Sequence, residues 1–265
     1  MAYNIQVEKR NKKYNLNEFI TITNVTKNST SNFDVKKVEY LTANGGVVRS
    51  KKFNSKEIVI EFVIVGDVNK KKEQLLKCLP FDNVENFVFS DESDRIYKLE
   101  MFSGVNIDVL SKTFARGTFT LLSTYPFSFS STEKTITATS SKTFNFVNKG
   151  TAPLHPSITV ELTSDTTMLG VVSQGKAVQI GKEGGSNIGT TGDKITFNML
   201  DKTVNKLTPK GVTTKLYANP LSSWFDIPVM TDKEVQSGNS FTVEIAVNSK
   251  AKVPKGKATF REEYL

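Results

Sequence analysis

Along most of this chain, apolar and polar residues alternate in short runs that are separated by Asn, Gly, Ser and Asp. A period of two is typical of β-strands, because successive side chains of a strand point to opposite faces. The run Phe241–Val247 is a simple example, with Phe241, Val243 and Ile245 on one face and Thr242 on the other. The pattern predicts a mainly β protein made of antiparallel strands.

The segment Ile58–Val65 differs, because both of its faces are apolar apart from Glu61. A strand of this kind has to be covered on both sides, by a helix, a second sheet or a neighbouring subunit. One of its faces consists of Ile58, Ile60, Phe62 and Ile64.

One helix is predicted with apolar residues at helical spacing, over residues 68–79. Asp67 or Asn69 can cap its first turn, since a short side-chain oxygen accepts orphan backbone N–H groups. Pro80 ends the helix, because proline has no N–H to continue the hydrogen-bond ladder.

Further strands are predicted on both sides of this helix. In the first half they are Phe19–Thr23, Val38–Leu41, Asn86–Phe89, Arg95–Phe102, Val105–Val109 and Thr113–Leu122. Gly117, in the middle of the last of these, indicates a bulge or the close approach of another backbone. The aromatic-proline segment Ser123–Phe129, which contains Tyr125, Pro126 and Phe127, should break the sheet.

The second half contains strand patterns without a helical period, which predicts a sandwich of antiparallel strands. We therefore expect two domains, residues 1–130 and residues 131–265. The predicted strands are Thr135–Thr139 and Thr143–Val147, which could form a hairpin, then Pro156–Leu162, Gly170–Val172, Ala177–Ile180, Ile195–Met199, Lys215–Tyr217, Phe241–Val247 and Lys257–Tyr264.

The net charge of +8 raises the question of nucleic-acid binding. The charge is divided evenly, because each half of the chain carries +4 and acidic residues are interspersed throughout. The densest basic cluster, Lys70–Lys72, lies on one predicted helical turn without aromatic residues between its members. A nucleic-acid groove needs concentrated basic side chains with stacking aromatics, so we expect no sequence-specific nucleic-acid partner.

Other features of the composition limit the cellular context. No apolar run reaches the length of about 20 residues that a membrane-spanning helix needs, so no membrane insertion is expected. The first residues lack the basic-then-apolar layout of a secretion signal, so we expect synthesis in a cytoplasm. Cys78 is the only cysteine, which excludes an intramolecular disulfide and a thiolate-cluster metal site.

The residue types that carry catalysis are sparse. The only histidine, His155, lies at the entrance of a predicted strand, where a structural role is expected. The turn Ser90–Asp94 carries three carboxylates that we expect to be solvated. Glu262 and Glu263 are adjacent on a predicted strand, so they point to opposite faces and cannot form a catalytic pair. We predict no enzyme, no cofactor and no metal site.

Three aromatic residues near the end of the chain have two interpretations. Tyr217, Trp224 and Phe225 could form a stacking platform for a saccharide, or they could belong to the core of the second domain. The core is the favoured interpretation, because large aromatic side chains of sandwiches are usually packed.

Several motifs follow one another between residues 40 and 185. A Gly-rich stretch, Asn44–Arg49, precedes the strand that ends at Gly66 and the predicted helix, and a long strand then closes in the segment Ser123–Phe129. The connector Asn148–Pro156 and the segment Gly170–Gly181 come next. In this order, the motifs resemble those of the phage distal tail protein family, also called siphovirus tail component or Dit.

The resemblance implies a structural virion protein at the tip of a phage tail. It implies an N-terminal ring-forming (belt) β-domain with one helix and a C-terminal galectin-like β-sandwich. The implied assembly is a homo-hexameric ring in the baseplate hub, made in a bacterial host. This ring would join the tail tube protein and the tape measure protein to the tail-associated (tail-tip) protein and a receptor-binding protein. Residues that could serve the ring interface, or a purely structural role, are Ile58, Ile60, Phe62, Ile64, Tyr125, Pro126 and Phe127.

Two alternatives remain open. A carbohydrate-binding module would attach a phage tail to a cell-surface saccharide, but a fold by itself does not supply a sugar site. A tail tube protein would also be mainly β with one helix, although the change of pattern near residue 130 favours two domains.

Overall fold

The computed structural model describes residues 3–27, 33–39, 46–138 and 142–265. The chain divides into two compact units, of which unit 1 comprises residues 1–131 with 264–265 and unit 2 comprises residues 132–263. The sequence pattern assigns the last two residues to the second domain, whereas they belong to unit 1. The ring of Tyr264 lies under the guanidinium group of Arg95, 4.4 Å from ring centre to cation.

Unit 1 is built on one curved antiparallel sheet in the order β2-β1-β7-β8-β10-β6-β3, with β9 added to β10, β11 added to β8, and β4 and β5 paired with each other. Its strands are β1 (Ile5–Lys9), β2 (Lys12–Asn15), β3 (Thr21–Lys27), β4 (Phe33–Glu39), β5 (Gly46–Phe53), β6 (Lys56–Val65), β7 (Glu85–Phe89), β8 (Arg95–Met101), β9 (Asn106–Ser111), β10 (Phe114–Ser123) and β11 (Ser128–Ser130).

The helix of unit 1, α1 (Val68–Cys78), forms as the sequence predicts, with the side chain of Asp67 accepting a hydrogen bond from the backbone N–H of Lys70 at 3.1 Å. It ends one residue earlier than predicted. Leu79 is extended, with ψ 147°, because the residue before a proline avoids the helical region.

One core serves the whole of unit 1. Strands β8 and β10 pair through two residue pairs, Leu121↔Met101 and Leu122↔Glu100, and this short junction joins the two halves of the sheet. Inward side chains from both halves then meet in one apolar cluster that also receives α1. Its large members include Ile5, Phe62, Leu75, Phe87, Phe89, Leu99 and Phe119.

Unit 2 is an antiparallel β-sandwich with one apolar core between its two sheets. The larger sheet has the order β12-β21-β14-β17-β18-β19 and the smaller one β13-β20-β15-β16. The elements are β12 (Lys134–Ala138), β13 (Thr143–Phe146), β14 (Ser157–Glu161), β15 (Met168–Ser173), β16 (Lys176–Gly181), β17 (Lys194–Asn198), β18 (Thr203–Leu207), β19 (Thr213–Leu216), α2 (Asp232–Gln236), β20 (Phe241–Val247) and β21 (Lys255–Phe260); the chain ends with β22 (Glu263–Tyr264).

The sheets of this sandwich are packed tightly. A Cβ atom at Gly256 would lie 2.6 Å from the ring of Phe144 and 2.7 Å from Ile245, so only glycine fits at that position of β21. The fold class predicted from the sequence, mainly β with a sandwich, is confirmed.

The predicted hairpin of residues 135–139 and 143–147 is wrong. Strand β12 pairs with β21, whereas β13 pairs with β20 in the opposite sheet. The two short strands carry the chain from one layer of the sandwich to the other, a choice that alternation within each strand cannot reveal. Parts of three predicted segments lie outside the described residues. They are residues 40–41, residues 44–45 and residue 139 of the predicted hairpin.

Candidate functional site

The strand predicted to have two apolar faces, β6, has one face in the core and the other open. Its inward side chains are at most 1% exposed, so they have a structural role and cannot also contact a neighbouring subunit. The residues that remain available are on the outward face, where Val59 and Val63 are half-buried and Val65 is exposed. The inward side chains are Ile58, Ile60, Phe62 and Ile64.

The outward face of strands β3, β6, β10 and β9 forms a shallow cleft of about 480 Å³. Val63 and the backbone of Gly117 contribute to its floor, and Glu61, Asp108 and Arg116 contribute charged groups. Asp108 and Arg116 pair across β9 and β10 at 3.1 Å. The remaining lining residues are Thr23, Phe62, Asn106 and Thr118.

Gly117 lies beneath this cleft, and the side-chain position that it leaves empty faces the core on the side of Phe62. A Cβ atom at this position would lie 2.5 Å from the carbonyl oxygen of Asn106 and 2.6 Å from the ring of Phe62. The close approach that the sequence indicates is therefore present, and it brings β9 against β10.

Next to the cleft, the end of the hairpin of β9 and β10 and the adjacent end of β6 carry four exposed apolar side chains, which we call the apolar tip. It consists of Val65, Val109, Leu110 and Phe114, which are 56%, 54%, 55% and 38% exposed. Val65 is opposite Phe114 in the register of β6 and β10, so these two side chains share the outward face, whereas Val109 is opposite the buried Ala115 and overhangs the other face at the sheet edge. Sequence reasoning missed this tip, although two consecutive apolar residues just before the turn at residues 111–113 are a signal for it.

Lysines surround the apolar tip. Backbone hydrogen bonds from Gly66 to Thr113 at 2.8 Å and from Val68 to Lys112 at 3.4 Å attach the start of α1 to the hairpin turn. This attachment brings the basic turn Lys70–Lys72 close to Lys112. Lys71 also donates to the carbonyl oxygen of Val65 at 2.8 Å.

The aromatic-proline segment packs into unit 1 instead of presenting its rings. Phe127 is 7% exposed, Tyr125 and Pro126 are half-buried, and Phe127 meets Tyr125 edge-on at 5.4 Å. Tyr125 stacks on Phe129 at 5.2 Å, and Phe53 contacts Phe127 at 5.0 Å. The segment is thus an internal aromatic cluster, which favours the structural role over the ring interface for these residues.

Two of the three carboxylates of the turn Ser90–Asp94, which we expect to be solvated, belong instead to an ion-pair network, whereas Asp94 is exposed as expected. Lys27 lies 2.7 Å from Asp91 and 2.6 Å from Glu92, and Arg95 pairs with Glu92 at 2.8 Å. The hydroxyl of Tyr97 donates to the same Glu92 carboxylate. The expectation fails because Lys27 is far away in the sequence, and only folding brings it to this turn.

The network changes the titration of its members. Burial opposes ionisation of Glu92, but hydrogen bonds from Lys27 and Tyr97 and the charges of Lys27 and Arg95 outweigh it and hold the Glu92 pKa below its usual value. The Asp91 pKa is lowered in the same way, against its burial, by Lys27 and by the Tyr3 hydroxyl. Burial lowers the pKa of Lys56, whose ammonium group lies 5.9 Å from the Tyr97 ring centre.

The histidine and the paired glutamates of unit 2 also serve the fold. The Glu263 carboxylate, 1% exposed, accepts a hydrogen bond from the backbone N–H of His155 and lies 3.1 Å from Nδ1 of its ring. Glu262 pairs with Lys134 at 2.6 Å. The two glutamates thus have different partners, as expected for adjacent residues of a strand, whose side chains point to opposite faces.

The three aromatics considered for saccharide stacking do not form one platform. Phe225 is 5% exposed and belongs to the core, so its ring is unavailable for stacking. Trp224 is half-buried against the same core, and Tyr217 is 80% exposed with the Lys215 ammonium group 5.9 Å from its ring centre.

A groove of about 710 Å³ lies close to Tyr217 in the sequence, between the edge strand β16 and residues 219–222. Asn219 and Gln179 both donate side-chain hydrogen bonds to the carbonyl oxygen of Gly181, at 2.8 and 3.1 Å. Leu221, which is 97% exposed, contributes to its rim.

The described parts of the chain contain neither a cluster of metal-binding side chains nor a helix that could span a membrane. There, no three His, Cys, Asp or Glu side chains converge as ligands of a metal ion. Within the same residues, neither helix has the length and apolar character needed to cross a bilayer. Cys78 is buried in the unit 1 core, and burial raises its thiol pKa.

The comparison with known protein families finds no match to this sequence, and neither does the comparison with curated proteins. Among solved structures, the chain is similar to the SPP1 Dit protein, described as a paradigm of the hub adsorption apparatus in phages that infect Gram-positive bacteria. The two are 15% identical, the match covers 100% of each chain, and the TM-score is 0.71. A chain of the phage P2 baseplate in its activated conformation with Ca is 8% identical over 98% of each chain, with a TM-score of 0.50. The mainly β, Dit-like sandwich fold that the sequence resemblance implies is confirmed.

Proposed function

We propose that this chain is a structural component of a phage tail, the subunit of a distal-tail ring in the baseplate hub. The observation that carries the proposal is the match of the whole chain, both units included, to the fold of the SPP1 Dit protein at a TM-score of 0.71. A match restricted to one unit would leave the role of the other open. Here the match covers 100% of each chain, so it includes both units.

The open surface of unit 1 supports assembly. Four apolar side chains of the apolar tip are each more than a third exposed, and they adjoin a cleft with an apolar floor. Contiguous exposed apolar surface on a folded protein is characteristic of a site that another molecule covers. In the proposed ring, copies of the chain cover it, and the ring contacts the tail tube and tape measure proteins on one side and the tail-tip and receptor-binding proteins on the other.

The mass and shape of the purified chain test this proposal. We expect closed rings, with six subunits, in light scattering after size exclusion and in negatively stained images. A chain that remains monomeric up to millimolar concentration would contradict the ring. The assembled protein belongs in the virion, after synthesis in the cytoplasm of a bacterial host.

We further propose that the chain performs this role without catalysis. The carboxylates considered for catalysis are engaged in structural pairs, Glu92 with Lys27 and Arg95, and Glu262 with Lys134. Incubation with peptidoglycan and with cell-wall polysaccharides should release no fragments, and turnover of either substrate would contradict this part of the proposal.

Saccharide binding by unit 2 is a second candidate, favoured by one observation. Tyr217, two positions before Asn219 in the sequence, is 80% exposed, and Gln179 and Asn219 contribute amides to a groove. An exposed aromatic ring with nearby amides is suited to stack on and hydrogen-bond a sugar. Binding on a glycan array that Tyr217→Ala abolishes would support it, and an array without signal would leave unit 2 as a scaffold.

A further inference from the structure

We propose that the apolar tip of one copy of the chain inserts into the cleft on the outward face of β6 and β10 in the next copy. This inference rests on the proposed ring and names the contact that closes it. The apolar tip is Val65, Val109, Leu110 and Phe114, and the cleft is the one that contains Glu61 and Val63.

Shape is the first argument for this contact. The hairpin of β9 and β10 projects Leu110, 55% exposed, at its end, whereas the cleft is a concave space of about 480 Å³ over Val63 and Gly117. A projecting apolar side chain therefore finds an apolar floor of suitable size.

Charge is the second argument. Around the apolar tip, Lys70, Lys71, Lys72 and Lys112 exceed the two nearby acidic residues, Asp67 and Glu73, by two positive charges. In the cleft, Glu61 and Asp108 exceed Arg116 by one negative charge. Glu61 is exposed, and within the described residues it has no ion-pair partner in its own copy. A lysine from the next copy can supply that partner.

The arrangement of the two surfaces gives the contact a direction. In the proposed contact, each copy places its tip in the cleft of one neighbour and receives the tip of the other neighbour in its own cleft, so the contact is head to tail. A head-to-tail contact closes into a ring when the rotation between neighbours divides a full turn, and six subunits need a rotation of about 60°. Two like tips would repel each other through their lysines, which disfavours a tip-to-tip dimer.

Substitution of the tip is the direct test. Leu110→Asp places a carboxylate on the end of the tip and should raise the protein concentration at which half of the chains are assembled by roughly tenfold or more. The matched control is Phe102→Asp, because Phe102 is 56% exposed but lies outside both surfaces. Light scattering and image counts of rings give the readout, and thermal melting checks that each variant is folded.

Exchange of the charges at two exposed positions provides an independent test. Glu61→Lys and Lys112→Glu should each weaken assembly several-fold, because each places two like charges in the contact. The double variant should restore much of the loss, since every contact then joins opposite charges again, with the two signs exchanged between neighbouring copies. Rings that persist unchanged in Leu110→Asp and Glu61→Lys would overturn the inference and leave the proposed function intact. A wild-type chain that never forms rings would overturn both.

Discussion

At the scale of single residues, buried polar groups hold the irregular parts of unit 2 in place. Asn148 is fully buried, and its side-chain amide donates to the carbonyl oxygens of Ala152, Ile227 and Pro228 at 3.0–3.3 Å. Its oxygen accepts from the backbone N–H of Gly150 at 3.0 Å. One side chain thus joins the connector at residues 148–152 to the segment at residues 227–228.

We expect Asn148→Ala to be strongly destabilising. The substitution leaves several buried backbone groups without partners, and the free energy of unfolding should fall by about 3 kcal/mol. Urea unfolding of the full chain measures the loss. Asn83→Ala, at an exposed loop position, should leave stability within about 0.5 kcal/mol of the wild type. An equal effect of the two substitutions would argue against this role.

The ion-pair network of Lys27 should make the stability of unit 1 fall at acid pH. The pKa values of Asp91 and Glu92 are lowered in the folded state, so their contribution to stability is complete above their unfolded values, about pH 4, and is lost as pH falls through the folded values. Thermal melting between pH 2 and pH 7 should show a fall of Tm below about pH 4. Glu92→Gln should lower Tm at pH 7 and reduce this fall, whereas Glu57→Gln, at an exposed position, should match the wild type.

At the scale of secondary-structure elements, local sequence signals specify α1 well. Asp67 caps its first turn, Lys77 lies in its last turn, and Pro80 prevents its continuation. The residue that determines where the helix begins is thus the one that the sequence pattern indicates.

Removal of this cap should weaken unit 1. Asp67→Ala deletes the acceptor for the Lys70 N–H and should reduce the free energy of unfolding by about 1 kcal/mol. Asp67→Asn keeps an oxygen acceptor and should retain most of the stability. Denaturant midpoints of the two variants decide between a capping role and a general effect of the charge, because a charge effect would lower both equally.

Local sequence signals specify the pairing of the strands less well than they specify the helix. One edge of β10 pairs with β6 along its length, and its other edge pairs with β9 and with β8. Alternation finds most of the strands, but it does not indicate this arrangement. Gly117 gives the one local hint, since a glycine inside a strand indicates that another backbone comes close.

At the scale of the whole molecule, each unit has its own core. Unit 2 is contiguous in sequence, and its apolar cluster is built from both of its sheets. Unit 1 is not contiguous, because residues 264–265 return to it from the end of the chain.

Unit 2 should therefore fold as a separate fragment. We expect residues 132–263 to unfold cooperatively in thermal melts followed by circular dichroism, since a contiguous core needs no other part of the chain. Residues 1–131 alone lack Tyr264, whose ring packs on Arg95, and should melt at a lower temperature than the same unit in the full chain. A fragment 132–263 without a cooperative transition would contradict this division.

The sequence by itself determined the fold class, the helix and its cap, most strands, the change of pattern near residue 130 and the resemblance to the Dit fold. These depend on periodicity and on local chemistry, which neighbouring residues specify. Only the tertiary structure decided that Ile58, Ile60, Phe62 and Ile64 face inward, that Lys27 meets Asp91 and Glu92, and that an apolar tip lies beside an acidic cleft. The physical reason is distance along the chain: burial and ion pairing depend on residues tens of positions apart, whose meeting is fixed by the packing of the sheets.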